Sequence, residues 1–225
     1  MKKISYIQSL ILEGEHQQQD FKFGITDSRK IARLLAAFAN TDGGRLLIGV
    51  KDNGVIAGVR SEEEYYMIES AAQLFSKPEI RFESKIWKES GKTVLEVWVP
   101  PSPLRPHYVK NEDGSYDAYV RSRDENIQAD EVIITVWQKR KQKKGTLIRY
   151  SPNEEKLFEL LSGQDQITLR EFKKQARLTT RMAVDTLSNL IILGVIQQVV
   201  ASPESFFRVT RTEEGDQTGL RNCAT

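Results

Sequence analysis

Cysteine is almost missing from this chain of 225 residues: the only one, Cys223, lies in a polar C-terminal stretch. A lone thiol excludes a disulfide framework and a thiolate metal cluster within the chain. Two histidines, His16 and His107, are too few for a zinc site, so His107, after Arg105-Pro106, is expected to be structural. Long apolar runs are missing too, and none approaches the ~20 residues that a membrane span needs. The opening stretch MKKISYIQSLILEGEHQQQD holds two lysines and a short apolar patch. Ser5, Gln8 and Ser9 interrupt that patch and no small-residue cleavage site follows, which predicts a helix rather than an export signal and a cytoplasmic home. A phosphate loop is also lacking. SGKT, 90–93, ends like one, but Ile86 stands where the first glycine belongs and TVLEVWV reads as a strand where a helix should follow. It is expected to be a hairpin turn, with no ATP site.

What is present is the composition of a globular protein, 39% hydrophobic and 28% charged, with length for two domains. The net charge of +2 identifies no polyanion partner, because nucleic-acid binding depends on local positive charge. The densest run, QKRKQKKG at 138–145, reads as a basic helix end or linker, and a solvated connecting face explains it equally well.

Ile4, Ile7, Ile11 and Leu12 repeat at helical spacing over 3–13. DFKFGI reads as a strand, and Thr26-Asp27-Ser28 offers an N-cap for a helix to about Phe38. RLLIGV, KDNG and VIAGV predict a hairpin with Asp52 at its tip. A helix over 62–75, a long hairpin through SGK, a second hairpin over YVKNEDGSYDAYVR and a helix in EVIITVWQKRKQ complete an α+β domain, 1–145, with 138–150 as basic helix end and linker. From 151 to 212 the order becomes three helices and a closing hairpin, the order of a winged helix-turn-helix. Residues 213–225 have no periodicity and are expected to form a flexible tail.

AAFANTDGGRLLIGVKDNG, 36–54, poses the functional question: its glycine pair could approach a phosphate, fix a metal-binding carboxylate or turn the chain. Gly43 and Gly44 are read as permitting positive φ or close backbone approach, with Asn40 and Thr41 bonding exposed backbone groups. Glu15, Asp20 and Asp52, from separate elements, are candidates to share a divalent cation, as nuclease sites do. By spacing alone, acids beside turns more often face solvent.

The succession GEHQQQDFK, AAFANTDGGRLLIGVKDNGVIAGV and PLRPHYVK…AYVRS resembles the AlbA-type DNA-binding domain of the Schlafen family, over roughly residues 5–135. The resemblance implies a nucleic-acid-binding domain. In bacteria and archaea such domains are commonly followed by a helix-turn-helix and described as transcriptional regulators. Animal Schlafens of the ribonuclease type cleave transfer and ribosomal RNA through three acids, which fall here on Glu15, Asp20 and Asp52, with Mg or Mn as the implied metal. Asp20 stands where glutamate is usual, which draws its carboxylate back by about 1.5 Å; His16 stands where serine is common.

The resulting expectation is an AlbA-like Schlafen-type domain joined to a winged helix, acting as a DNA-binding transcriptional regulator, a homodimer requiring no cofactor. The alternatives are a metal-dependent endoribonuclease acting on structured RNA and a protein–protein adaptor. Lys22, Arg121 and Arg123 are candidate phosphate contacts in the first domain. Thr179, Thr180 and Arg181, opening the third helix of the second domain, and Arg208 and Arg211 on its wing are candidates there, while the acidic Asp185 opposes them.

Overall fold

A computed structural model describes residues 4–59, 61–142 and 151–210. The chain divides into two compact units, Met1–Asp130 and Glu131–Thr225. The division lies ahead of the expected boundary at 145, because the helix after Asp130 buries Val132, Val136 and Trp137 and joins the second unit. Arg211, the tail 213–225, Cys223 and residues 143–150 of the basic segment lie outside the described residues.

The first unit runs α1 (Tyr6–Glu13), β1 (Gln19–Lys22), α2 (Ser28–Asn40), β2 (Gly44–Ile48), α3 (Glu63–Gln73), β3 (Ser76–Lys77), β4 (Glu83–Glu89), β5 (Lys92–Val99), β6 (Tyr108–Lys110), β7 (Tyr116–Ser122) and β8 (Glu125–Gln128). One sheet has the order β1-β2-β5-β4, parallel only between β1 and β2; the other is β3-β6-β7-β8, antiparallel throughout. α2 starts at the Asp27 cap, whose side chain accepts from the Arg29 N–H, and nine of its thirteen residues are buried. From Ile31 to Asn40 only Arg33 is not buried, so this length of the helix must be covered on nearly every side. Here Leu46, Ile48, Leu95 and Val97 of the first sheet, α3, and Val109 of the second sheet enclose it. The alternate residues Phe21, Leu47 and Val94 point to the opposite face, where they pack with Ile7 and Leu10 of α1.

Two local expectations change. The face of α1 is Ile7 and Leu10, while Ile4 and Leu12 are exposed, because the helix begins only after the Ser5 cap and Ile4 precedes it. VIAGV forms no return strand. The chain turns at Lys51–Gly54, where the Gly54 N–H donates to the Lys51 carbonyl at 2.8 Å, and a single bridge joins Val50 to Ile56. β2 pairs instead with β5, Leu46 beside Val97 and Ile48 beside Leu95. SGKT closes the β4–β5 hairpin, with positive φ at Ser90 and Gly91.

The second unit contains α4 (Glu131–Arg140), α5 (Pro152–Gly163), β9 (Ile167–Thr168), α6 (Leu169–Gln175), α7 (Thr180–Ile192), β10 (Ile196–Val199) and β11 (Phe206–Val209). Its strands form an antiparallel sheet in the order β10-β11-β9. Capping boxes start α5 at Ser151 with Glu154 and α6 at Thr168 with Glu171. The helices and strands share one core of Val132, Leu157, Phe172, Leu187, Ile196 and Phe207. Among the described residues no helix is long and apolar enough to cross a membrane.

Candidate nucleic-acid interface

In the first unit the chemistry-bearing residues of β1 and β7 converge beneath the end of α2. Asp20 is buried, and its Oδ2 accepts from Arg121 Nη2 at 2.9 Å while Lys22 Nζ bonds Oδ1. Arg121 also donates to Asn126 Oδ1 at 3.0 Å and to the Gln19 carbonyl at 3.3 Å, and its guanidinium lies 5.2 Å from the centre of the Phe38 ring. With a side chain only 1% exposed, Arg121 is a structural cation and not the phosphate contact expected of it. The reason is elementary: a carboxylate taken out of water requires a paired charge, which the guanidinium supplies. Lys22 keeps a side chain 40% exposed, but its charge is directed at Asp20. Arg123 is exposed at the β7–β8 turn with φ +58°, its N–H held by Gln17 Oε1 at 2.7 Å.

Asn40, Thr41, Gly43 and Gly44 hold this corner together. The buried Asn40 amide donates to the carbonyls of His107 and Tyr119 at 3.0 and 2.9 Å and accepts the His107 N–H at 2.7 Å. It thereby ties α2 to β6 and β7, a longer reach than the helix-end bonds expected. Thr41 Oγ1 donates to the Ala37 carbonyl at 2.7 Å and accepts the Arg121 N–H at 2.9 Å. Gly43 has φ +74°, and a Cβ there would lie 2.8 Å from the Val99 carbonyl oxygen. At Gly44 an added Cβ would lie 2.3 Å from the Phe38 ring. The glycine pair therefore serves close approach, which places Arg121 and Asp20 through their neighbours. His107 is buried, with Nδ1 at 2.8 Å from the Pro78 carbonyl and Nε2 at 2.7 Å from Ser102 Oγ.

The three acids fail as a donor set for a divalent cation. Asp20 has both oxygens engaged by cationic side chains, Glu15 Oε1 accepts the Phe21 N–H at 2.8 Å, and Asp52 sits exposed on the Lys51–Gly54 turn. Among the described residues no group of three or more His, Cys, Asp or Glu is gathered closely enough to hold a metal ion. Mg or Mn needs several open oxygen ligands around one point, so no catalytic step follows from Glu15, Asp20 and Asp52 as they stand.

The second unit offers a different surface. Thr179 caps α7, its side chain accepting the Met182 N–H at 3.3 Å, and Thr180 Oγ1 accepts from Lys173 Nζ at 2.8 Å. Both hydroxyls thus shape the start of α7. Arg181 is exposed one residue later, and Arg208 is exposed on β11 opposite Gln197. Asp185, the acid expected to repel phosphate, is neutralised: Lys139 of α4 reaches its Oδ1 at 2.5 Å and also donates to Ser188 Oγ and Asn189 Oδ1, at 2.9 and 2.6 Å. The sequence reading passed over Arg170, Lys173, Lys174 and Arg177, all exposed on α6 and the turn after it. Their spacing in LREFKKQAR is the signal that reveals them.

Charge is divided unevenly. The first unit has 18 Lys and Arg against 20 Asp and Glu, a net of −2; the second has 15 against 11, a net of +4. By count, the excess of positive charge lies in the second unit.

Comparison with known proteins bears on the first unit. No curated protein matches the chain. Among solved structures, the DIP2311 protein from Corynebacterium diphtheriae is similar at 19% identity and a TM-score of 0.40, over 58% of this chain and 25% of that one. The chain thus spans only a part of that protein's length. The N-terminal domain of an ATP-dependent DNA helicase RecG-related protein from Nitrosomonas europaea is similar at 22% identity and a TM-score of 0.40, over 58% of this chain and 97% of that one. The family model described as Schlafen, AlbA_2 matches residues 15–130, just over half of the sequence, and those residues contain the buried Asp20–Arg121 pair and the Asn40–Gly44 corner. The chain belongs to the Schlafen AlbA_2 family.

Proposed function

We propose that the protein binds nucleic acid, duplex DNA foremost, through a winged helix-turn-helix formed by its second unit, and that it acts as a transcriptional regulator. The observation that carries this reading is the exposed basic surface of α6 and α7 beside the β10–β11 hairpin: Arg170, Lys173, Lys174, Arg177, Arg181 and Arg208. The order α5, β9, α6, α7, β10, β11 supports the winged-helix reading, in which α7 enters the major groove and the hairpin lies alongside. Membership of the Schlafen AlbA_2 family, matched over residues 15–130, supports nucleic-acid binding by the first unit as well. The first unit, slightly acidic in net charge and with Arg121 turned inward, is the weaker contributor in this reading.

A homodimer reading paired half-sites is part of the proposal, and light scattering should give about twice the 25.7 kDa of one chain. The direct test is fluorescence anisotropy of a labelled duplex titrated with the full chain between about 50 and 200 mM salt. Binding that weakens steeply with salt supports the proposal. Absence of duplex binding overturns it and favours the adaptor. A parallel incubation with transfer RNA and Mn²⁺ addresses the endoribonuclease: cleavage that disappears in Asp52→Ala would establish the enzyme in place of the regulator.

A further inference from the structure

α6 carries Arg170, Lys173 and Lys174 at i, i+3 and i+4, the spacing that aligns side chains along one helical face, and Arg177 follows in the turn after the helix, at φ +54°. The helical part of the row, Arg170 to Lys174, spans roughly 6 Å at the helical rise per residue. All four border a cleft of about 570 Å³, lined also by Thr180 and by Glu204 of the β10–β11 loop. The acid of α6, Glu171, does not line the cleft. Glu171 is turned back into the capping box, accepting the Thr168 N–H at 2.9 Å. Among the described residues none of the four cations lies within 4.0 Å of a carboxylate oxygen; Lys173 is held by the Thr180 hydroxyl at 2.8 Å.

Four like charges around one concavity repel each other until an anion enters it, and an anion as long as the row relieves the repulsion most. α7, by contrast, exposes one cation near its start, Arg181, next to Met182 and the already neutralised Asp185. We infer that the α6 cleft is a phosphate-binding site that takes several phosphates in series and supplies most of the affinity of this unit independently of base sequence. The inference rests on the DNA-binding reading for the source of those phosphates, the backbone of a duplex; a free polyphosphate presents the same chemistry. Glu204 acts against the ligand as a like charge at the cleft wall.

The full chain, labelled with ¹⁵N, is titrated with inorganic tripolyphosphate, and duplex binding is measured in parallel for the wild type, the Arg170→Gln/Lys173→Gln/Lys174→Gln variant and Glu204→Gln. Circular dichroism checks that these surface variants keep their fold. Tripolyphosphate should shift the amides of residues 169–180. The triple variant should flatten the dependence of log affinity on log salt by about 2.7, three phosphate contacts at about 0.9 each, equally on unrelated duplexes. Glu204→Gln should tighten duplex binding by about twofold, the opposite sign from a loss of structure. Duplex binding with an unaltered salt slope in the triple variant, or unmoved amides at 169–180, overturns the cleft and leaves DNA binding standing. Shifted amides without any duplex binding retain the cleft as a site for free polyphosphate and overturn the DNA reading.

Discussion

At the scale of single residues, the decisive contrast is between two arginines on one hairpin, Arg121 and Arg123. Sequence treats them alike, as basic side chains near the end of a strand. In the structure one is buried against Asp20 and the other is exposed on a turn. Removing one member of a buried ion pair leaves the other uncompensated, so Arg121→Ala should cost about 3–5 kcal/mol in urea denaturation. Arg123→Ala should change stability by less than about 0.5 kcal/mol. Equal effects from the two would refute the assignment of Arg121 to the interior. Tyr6 gives a pH test of the same kind. Its partial burial, and then the Glu96 carboxylate that accepts its hydroxyl at 2.8 Å, hold its pKa above the ordinary tyrosine range. A raised pKa means that the contact stabilises fully below the unfolded-state value of about 10 and loses its effect as pH climbs through the folded-state value. Wild type should exceed Tyr6→Phe by up to about 1 kcal/mol at pH 7, and the gap should close in denaturation curves recorded toward pH 11.

At the scale of elements, the legible parts were those whose cause is local. The Asp27 cap, the apolar run of α2 and the tight turn at Ser90-Gly91 are each written within a few residues, and α2 and the β4–β5 hairpin form where expected. The partner of β2 was not legible, because KDNG is good turn chemistry whichever strand follows, and the pairing is decided by the apolar face of β5, more than forty residues away. Burial of Arg121 escaped for the same reason: its partner belongs to β1, and nothing near position 121 announces it. The convergence of Glu15, Asp20 and Asp52, suggested by resemblance, likewise depends on tertiary placement and is not found. The basic face of α6 is written locally, in the spacing of LREFKKQAR. α4 and α7 carry a prediction at this scale. Lys139 satisfies three acceptors on α7, among them Asp185. Lys139→Met should free that carboxylate beside the proposed interface and weaken duplex binding by about threefold at low salt, with the difference shrinking as salt is added. Affinity unchanged by the substitution would mean that this face of α7 lies away from the nucleic acid.

At the scale of the whole molecule, a net charge of +2 conceals two units of opposite sign, −2 and +4. The unit that carries the family signature has Arg121 buried and Lys22 paired with Asp20 while others of its cations, Arg123 among them, stay exposed, and the unit beyond the matched residues carries the cations of α6 and α7. In the proposed division of labour the Schlafen AlbA_2 unit is the minor contributor and the second unit grips the phosphate backbone. Counterion release measures such a grip directly, since each phosphate neutralised contributes to the salt slope. The most direct measurement is therefore the salt slope of duplex binding for two charge-neutralised forms of the full chain, Arg181→Gln/Arg208→Gln in the second unit and Lys22→Gln/Arg123→Gln in the first. The expected result is a slope lowered by about 1.8 in the former and unchanged in the latter. A slope that falls only when Lys22 and Arg123 are neutralised would contradict it.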